Sequence, residues 1–379
     1  MTRNTLGVRK SFLAIDWILV CALLPLLGAG LVTMNSFIGE SVLLDKQLAW
    51  ISISFIIFFL LSFVDFRFLR RTGVLVGLFL VSIALLLLLL AMARITNGAQ
   101  SWFNFGVFSV EPADPIKLVL IAILAKYFSR RHIEIAHIRH ILVSGFYAAV
   151  FFILVLVQPD FGSAIIIFFV WLGMVLVSGI SKKHLGVVFC VGVLAFSGLW
   201  LYVFKPYQKQ RIVNFIHPLQ DIRGTGYNAY QSTIAVGSGE AFGKGVGFGT
   251  QSRLKFLPEY ETDFVFAAFA EEWGFVGVLM LFALYGIVMW RVLLHAMRGA
   301  TNFEMLFGLG VDILFMSHFF INIGMNVGLL PVTGVTLPFM SYGGTHLLTE
   351  FAGLGILMGM SRYQRAAHKD LSKNELPGV

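Results

Sequence analysis

Ten runs of about 20 predominantly apolar residues follow one another along this chain, and a run of that length crosses a bilayer as a helix. They fall at 12–33, 47–64, 73–93, 113–128, 141–157, 163–180, 185–204, 273–297, 304–328 and 343–361. A soluble fold cannot hide so much apolar surface. Only 13% of the 379 residues are charged, about half the share usual in a soluble domain, and mean hydropathy is +0.84. The expected fold is therefore an all-α polytopic membrane protein, a single domain over 1–379 with about ten transmembrane helices. The basic start leads into 12–33 without a small-residue cleavage site, so this segment reads as the first span rather than a signal peptide.

Lys and Arg set the expected orientation. Arg67, Arg70 and Arg71 follow span two; Lys126, Arg130, Arg131 and Arg139 surround the loop after span four; Lys182 and Lys183 follow span six. Arg291 and Arg298 close span eight, and Arg362, Arg365, Lys369 and Lys373 form a basic tail. With Arg3, Arg9 and Lys10 these are most of the 28 basic residues, whereas the short loops opposite hold little beyond Lys46 and Arg94. The positive-inside rule then puts both termini in the cytoplasm. The net charge of +8 reflects topology and attraction to anionic lipid heads, not nucleic acid. Cys21 and Cys190 lie inside apolar spans, where cysteine behaves as a small hydrophobe.

One long loop, 205–262, joins spans seven and eight on the expected extracytoplasmic side. Long loops are exempt from the charge rule, so its Lys205, Lys209, Arg211, Arg223, Lys244, Arg253 and Lys255 need another reason to be there. The stretch GKGVGFGTQS (243–252) lacks the Walker spacing. Its glycines give either plain flexibility or a backbone surface for phosphate oxygens, with Lys244, Arg253 and Lys255 supplying charge.

Polar groups stand where a bilayer makes them expensive. Glu111, Asp114 and Lys117 sit at the mouth of span four, and Asp114 and Lys117, three apart, share a helix face and can pair. The alternatives are an interfacial ion pair and a substrate-facing one. Asp160, in the tight turn Gln158–Gly162, suits a cap on span six. Asp312, His318, Asn322 and Asn326 in span nine read as interhelical glue. His132, His137 and His140 lack metal-ligand spacing.

The densest acidic stretch is LPEYETDFVFAAFAEEWGF. Five of the chain's 20 acidic residues lie between Glu259 and Glu272. If Pro258 begins a helix, Glu259 and Asp263 share its N-terminal face, where the dipole favours charge while repulsion and burial oppose it. Such opposed perturbations make a carboxylate a usable base. Glu271 and Glu272 sit deeper and are alternatively partners for loop cations. A cationic loop beside a carboxylate suggests a site for a phosphate-bearing lipid, with a proton to be removed.

The segment GYNAYQSTIAVGSGEAFGKGVGFGTQSRLKFLPEYETDFVFAAFAEEWGFVG strongly resembles the long extracellular loop of the SEDS family, the RodA/FtsW/SpoVE proteins. NVGLLPVTGVTLPFMSYGG (326–344) is similar to that family's C-terminal signature, and QPDFGSA and EPADPIK match two further motifs. The resemblance implies a peptidoglycan glycosyltransferase of the bacterial inner membrane, active on the extracytoplasmic face and polymerising lipid II, an undecaprenyl-pyrophosphate-linked substrate. It implies a class B penicillin-binding protein and other elongation-complex membrane proteins as partners, and membrane lipids around it. The family's catalytic Asp falls on Asp263, and its Pro-Ser-Glu-x-x-Lys lysine on Lys117.

Expected substrate-binding residues are Lys117, Asp114, Glu111, Asp160, Arg211, Lys255, Gln251, Glu259 and Thr262, with no cofactor required by the sequence and a divalent cation, Mg or Mn, as an option at the pyrophosphate. Three departures from the family wording stand out. Ser-Glu becomes Ala113-Asp114, the usual Arg before Trp102 is Ser101, and the small residues after Ser-Tyr-Gly-Gly become Thr345 and His346. The compact N-terminus and the wording of 329–344 favour an elongation role over the division-specific one. A lipid II flippase suits the same spans, but its sites belong near the midplane; a pure scaffold leaves Asp263 without a task.

Overall fold

A computed structural model describes residues 15–36, 42–92, 101–106, 109–130, 138–217, 226–254 and 256–374. Arg3, Arg9, Lys10, Arg94, Arg131, His132, His137, Arg223 and Lys255 lie outside the described residues. Each of the ten expected spans is a helix: α1 Trp17–Asn35, α2 Val42–Ser62, α3 Thr72–Met92, α4 Ala113–Ser129, α5 Ile138–Val157, α6 Phe161–Val177 and α7 Lys182–Gly198 before the long loop. The loop carries α8 Pro206–Ile216, α9 Tyr227–Ser238 and the single turn α10 Thr250–Arg253. Three further helices follow: α11 Val265–Met297, α12 Asn302–Asn326 and α13 Gly344–Asn374. Among the described residues seven helices are long and apolar enough to cross a membrane by length and composition, and α4 and α6 have 17 residues each. The chain is a multi-pass α-helical membrane protein. Its only described strands, β1 Phe103–Asn104 and β2 Ser109–Val110, pair antiparallel with Phe103 opposite Val110.

The core lies where α4 and α12 run through the middle of the bundle. Leu120, Ile121 and Leu124 of α4 and Val311, Phe315 and Met325 of α12 are almost fully buried. The lipid-facing surfaces of α2, α3 and α5 instead expose Ile56, Leu60, Leu80 and Leu142, the reverse of a soluble protein and the natural outcome where the solvent is hydrocarbon. No residue of α7 is buried. Close helix contact relies on small residues: a Cβ added at Gly355 of α13 would lie 2.9 Å from the Phe58 carbonyl of α2, and one at Gly359, 2.8 Å from that of Val64.

One expectation is extended and one corrected. The eighth span, 273–297, is helical as expected but does not open the helix: Phe264–Ala270, apolar and buried, leads a shorter helical segment before it. The helix then breaks at Gly274 (φ 65, ψ −168), where an added Cβ would sit 2.2 Å from the Gly243 nitrogen. Nor does Pro258 start a helix: Thr262 N and Phe264 N both donate to the Glu259 carbonyl in a compact turn, with Glu259 at φ 53. The 205–262 loop is also largely structured. Its α9 packs on α11 and buries Ser232 and Ala235.

Candidate active site

Asp263 ends the turn that feeds α11, and its backbone is held from several sides. Asn322 and Asn326, four apart on α12, each donate a side-chain N–H to the Asp263 carbonyl, at 2.9 and 3.0 Å. Asn326 Oδ1 in turn accepts from Ala267 N at 3.2 Å. On the neighbouring residues, Ser341 Oγ donates to the Thr262 carbonyl at 2.6 Å and Tyr342 N to the Glu261 carbonyl at 2.8 Å. The loop between α12 and α13 thus clamps the Asp263 turn. Gly334, at φ 76, brings that loop against the carboxylate: an added Cβ there would be 3.5 Å from Asp263 Oδ2.

Asp263 is half-buried as a residue, and none of the described residues donates a hydrogen bond to its carboxylate. Burial and then the Glu259 carboxylate push its pKa up to about 6; Arg211 pulls the other way, and Asp160 adds a further push. Arg211, on α8, points a guanidinium N–H at the Val332 carbonyl at 3.5 Å and lines a cleft with Phe161, Phe204, Gln208 and Ile212. Thr262 Oγ1 donates to Glu259 Oε2 at 3.1 Å, which fixes the second carboxylate of the turn.

A second polar group adjoins the first through Asp160. Asp160 caps α6, its Oδ1 accepting from Ser163 N at 3.0 Å, and its charge is felt by both Glu111 and Asp263. Glu111 Oε1 accepts from Ser163 Oγ at 3.1 Å. Burial, followed by Asp114 and Asp160, raises the Glu111 carboxyl well above its usual range. One turn further, Lys117 Nζ meets Asp114 Oδ1 at 2.9 Å with both side chains buried. Glu111, Asp114, Lys117, Asp160, Arg211, Glu259, Thr262 and Asp263 are therefore one connected region at the end of the bundle that bears the long loop.

The rest of the acidic stretch does something else. Glu271 Oε1 accepts from Lys244 Nζ at 2.7 Å, Thr250 Oγ1 at 3.0 Å and Gln251 N at 3.1 Å. Glu272 Oε1 accepts from Gly247 N at 2.7 Å. The glycine-rich stretch is pinned onto α11 by these two buried carboxylates, so Lys244 is engaged by Glu271 rather than held ready for phosphate. Gln251 belongs to this anchor, and Lys255 lies outside the described residues. Among the described residues no group of three or more His, Cys, Asp and Glu is placed to hold a metal ion. Sequence reasoning missed Ser341, His346 and the aim of Asn322 and Asn326. Their four-residue spacing on one helix face was the available signal.

The family described as cell cycle protein, FtsW/RodA/SpoVE, matches residues 10–366. Stage V sporulation protein E of Bacillus subtilis is 34% identical over 363 residues, 92% of this chain and 98% of that protein. Peptidoglycan glycosyltransferase MrdB of Escherichia coli is 36% identical over 301 residues, 78% of this chain and 79% of its own. Among solved structures, a chain of a peptidoglycan synthase complex that coordinates polymerization and crosslinking aligns with TM-score 0.79 and 31% identity, over 92% of this chain and 98% of that one. The rod shape determining protein RodA of Thermus thermophilus aligns with TM-score 0.69 and 31% identity, over 92% and 97%.

Proposed function

The chain belongs to the RodA/FtsW/SpoVE family of polytopic membrane proteins, and from that premise we propose that it is a peptidoglycan glycosyltransferase that polymerises lipid II. The observation that carries the reading is the Asp263 carboxylate: on a half-buried residue, free of donors among the described residues, and pushed up to about 6. A general base works best with a pKa near the operating pH.

In this reading Asp263 takes the proton of the acceptor sugar's 4-hydroxyl. The oxygen attacks the anomeric carbon of the growing strand, the bond from that carbon to the lipid pyrophosphate breaks, and the product is inverted. Arg211 and Lys255 offset the charge gathering on the departing pyrophosphate, while the Asp114–Lys117 pair shapes the field of the site. Asn322, Asn326 and Ser341 hold the base in place, so little reorganisation remains at the moment of transfer. The site faces the extracytoplasmic side of the bacterial inner membrane, with both termini in the cytoplasm, and a class B penicillin-binding protein crosslinks the strands.

The wording of 329–344 favours the elongation role. The test of activity is polymerisation of lipid II by the purified protein with its transpeptidase partner. Glycan strands are expected from the native chain, and an about 10²–10⁴-fold lower rate from Asp263→Asn. An undiminished rate would remove Asp263 as the base. Restoration of rod shape, rather than division, in cells depleted of their own polymerase tests the elongation role.

A further inference from the structure

Two of the departures from the family wording, Asp114 and His346, face each other. His346 Nδ1 lies 3.5 Å from Asp114 Oδ1, the same oxygen that takes Lys117 Nζ at 2.9 Å. The other ring nitrogen, Nε2, is 2.9 Å from Glu350 Oε1. Both nitrogens lie at ion-pair distance from carboxylate oxygens, although Nε2 and Glu350 Oε1 are not aligned for a hydrogen bond, so the ring stands between the two carboxylates as an electrostatic bridge. His318 packs against it in a tilted arrangement, centroids 4.5 Å apart, and spends its own Nδ1–H on the Thr336 carbonyl. A carboxylate one methylene shorter than Glu reaches less far, and the imidazole fills the interval.

The network continues outward from Glu350. Its Oε2 accepts from Phe339 N at 3.0 Å. Phe339 is at φ 61, a conformation a bulky residue keeps only when its surroundings impose it. In the same turn Leu337 N donates to Ser341 Oγ at 2.8 Å, and Ser341 Oγ donates to the Thr262 carbonyl. A continuous path runs from Lys117 through Asp114, His346, Glu350 and the strained turn to the residue before Asp263.

We propose that His346 is a positioning residue, bridging the buried Asp114–Lys117 pair and the Phe339 turn so that the ion pair inside the bundle fixes the Thr262–Asp263 backbone. The kinetic part rests on the glycosyltransferase reading; the structural part does not. Two readouts on the full chain in detergent or nanodiscs separate them. In lipid II polymerisation with the partner transpeptidase, His346→Ala is expected to lower kcat about tenfold to a hundredfold with KM nearly unchanged. Adding Glu350→Gln, which removes the buried charge left facing Asp114 without a cation between them while keeping an oxygen for Phe339 N, should recover most of the rate. Amide hydrogen exchange should rise at 261–264 in His346→Ala and return to native in the double variant. Should His346→Ala not fold, His346→Gln keeps much of the volume but cannot carry a charge between the two carboxylates, and the same losses are expected. Native kcat together with native exchange in the single variant, or a double variant no better than the single, overturns the proposal. An Asp263→Asn protein as fast as native overturns the catalytic reading instead, and leaves the exchange experiment to decide the network.

Discussion

Replacing Asp263 by Asn tests whether the base sits under electrostatic strain as well as whether it acts. Its pKa rises from 3.8 to about 6 in the folded protein, so holding the charge there costs about 3 kcal/mol, at about 1.36 kcal/mol per unit. Solvent at the exposed part of the residue screens part of this and makes the figure a ceiling. The sign follows from proton binding. Between 3.8 and about 6 the folded protein keeps a proton that the unfolded chain has released, so stability falls as pH rises through that window. The penalty is complete above the folded pKa and absent below the unfolded one. Asp263→Asn escapes it. The variant should unfold at a higher temperature than native protein at about pH 7.5, with the gain fading toward pH 4, while polymerising about 10²–10⁴ times more slowly. Apparent unfolding temperatures across that pH range, paired with lipid II polymerisation rates, decide the matter. A variant less stable than native at neutral pH, or a gain that ignores pH, would refute the buried-charge argument whatever happens to activity.

Native polymerisation, read as kcat/KM against pH, should rise with an apparent pKa near 6, because the base works deprotonated; a rate flat from about pH 5 to 8 would contradict this. Lys117→Met leaves buried Asp114 with only His346 and should cost up to about 3–5 kcal/mol, visible as lower folded yield, and Asp114→Asn in the same chain should recover much of it. Glu271→Gln should loosen the glycine-rich stretch, giving faster proteolysis within 240–254 while the spanning helices stay folded. Gly274→Ala places a Cβ into Gly243 at a φ of 65 and should abolish accumulation of folded protein.

The spans were legible because each one is decided by a single local quantity, its fit to hydrocarbon over about 20 residues. The acidic stretch resisted the same treatment. Its charge density left 259–272 outside every expected span, although Val265–Ala270 is as apolar as any of them; Glu271 and Glu272 enter the helix only because Lys244 and Gly247, from a distant part of the chain, satisfy them. Asn322 and Asn326 were readable as glue, but not what they hold, since their common target lies about sixty positions upstream and is a backbone carbonyl without a sequence signature. Asp114 and His346 looked like unrelated departures until the fold set them 3.5 Å apart.

The site combines a mobile proton with an immobile backbone, and different residues supply the two. What raises the Asp263 carboxyl is crowding and like charge from Glu259 and Asp160, which attract nothing and fix nothing. What fixes its position acts on the backbone, through carbonyls: Asn322 and Asn326 on its own, Ser341 on that of Thr262, Tyr342 on that of Glu261. Donors aimed at the carboxylate would have lowered its pKa and removed its basicity; aimed at the backbone, they hold it still and leave it basic. Asn322→Ala should therefore slow polymerisation through misplacement, with the acidic limb of the pH profile near its native position, whereas Glu259→Gln should move that limb toward lower pH, because it removes a raising charge. If the two variants exchanged these signatures, the division between positioning and tuning would be wrong, since a lost backbone clamp has no charge to give and a lost carboxylate holds no carbonyl.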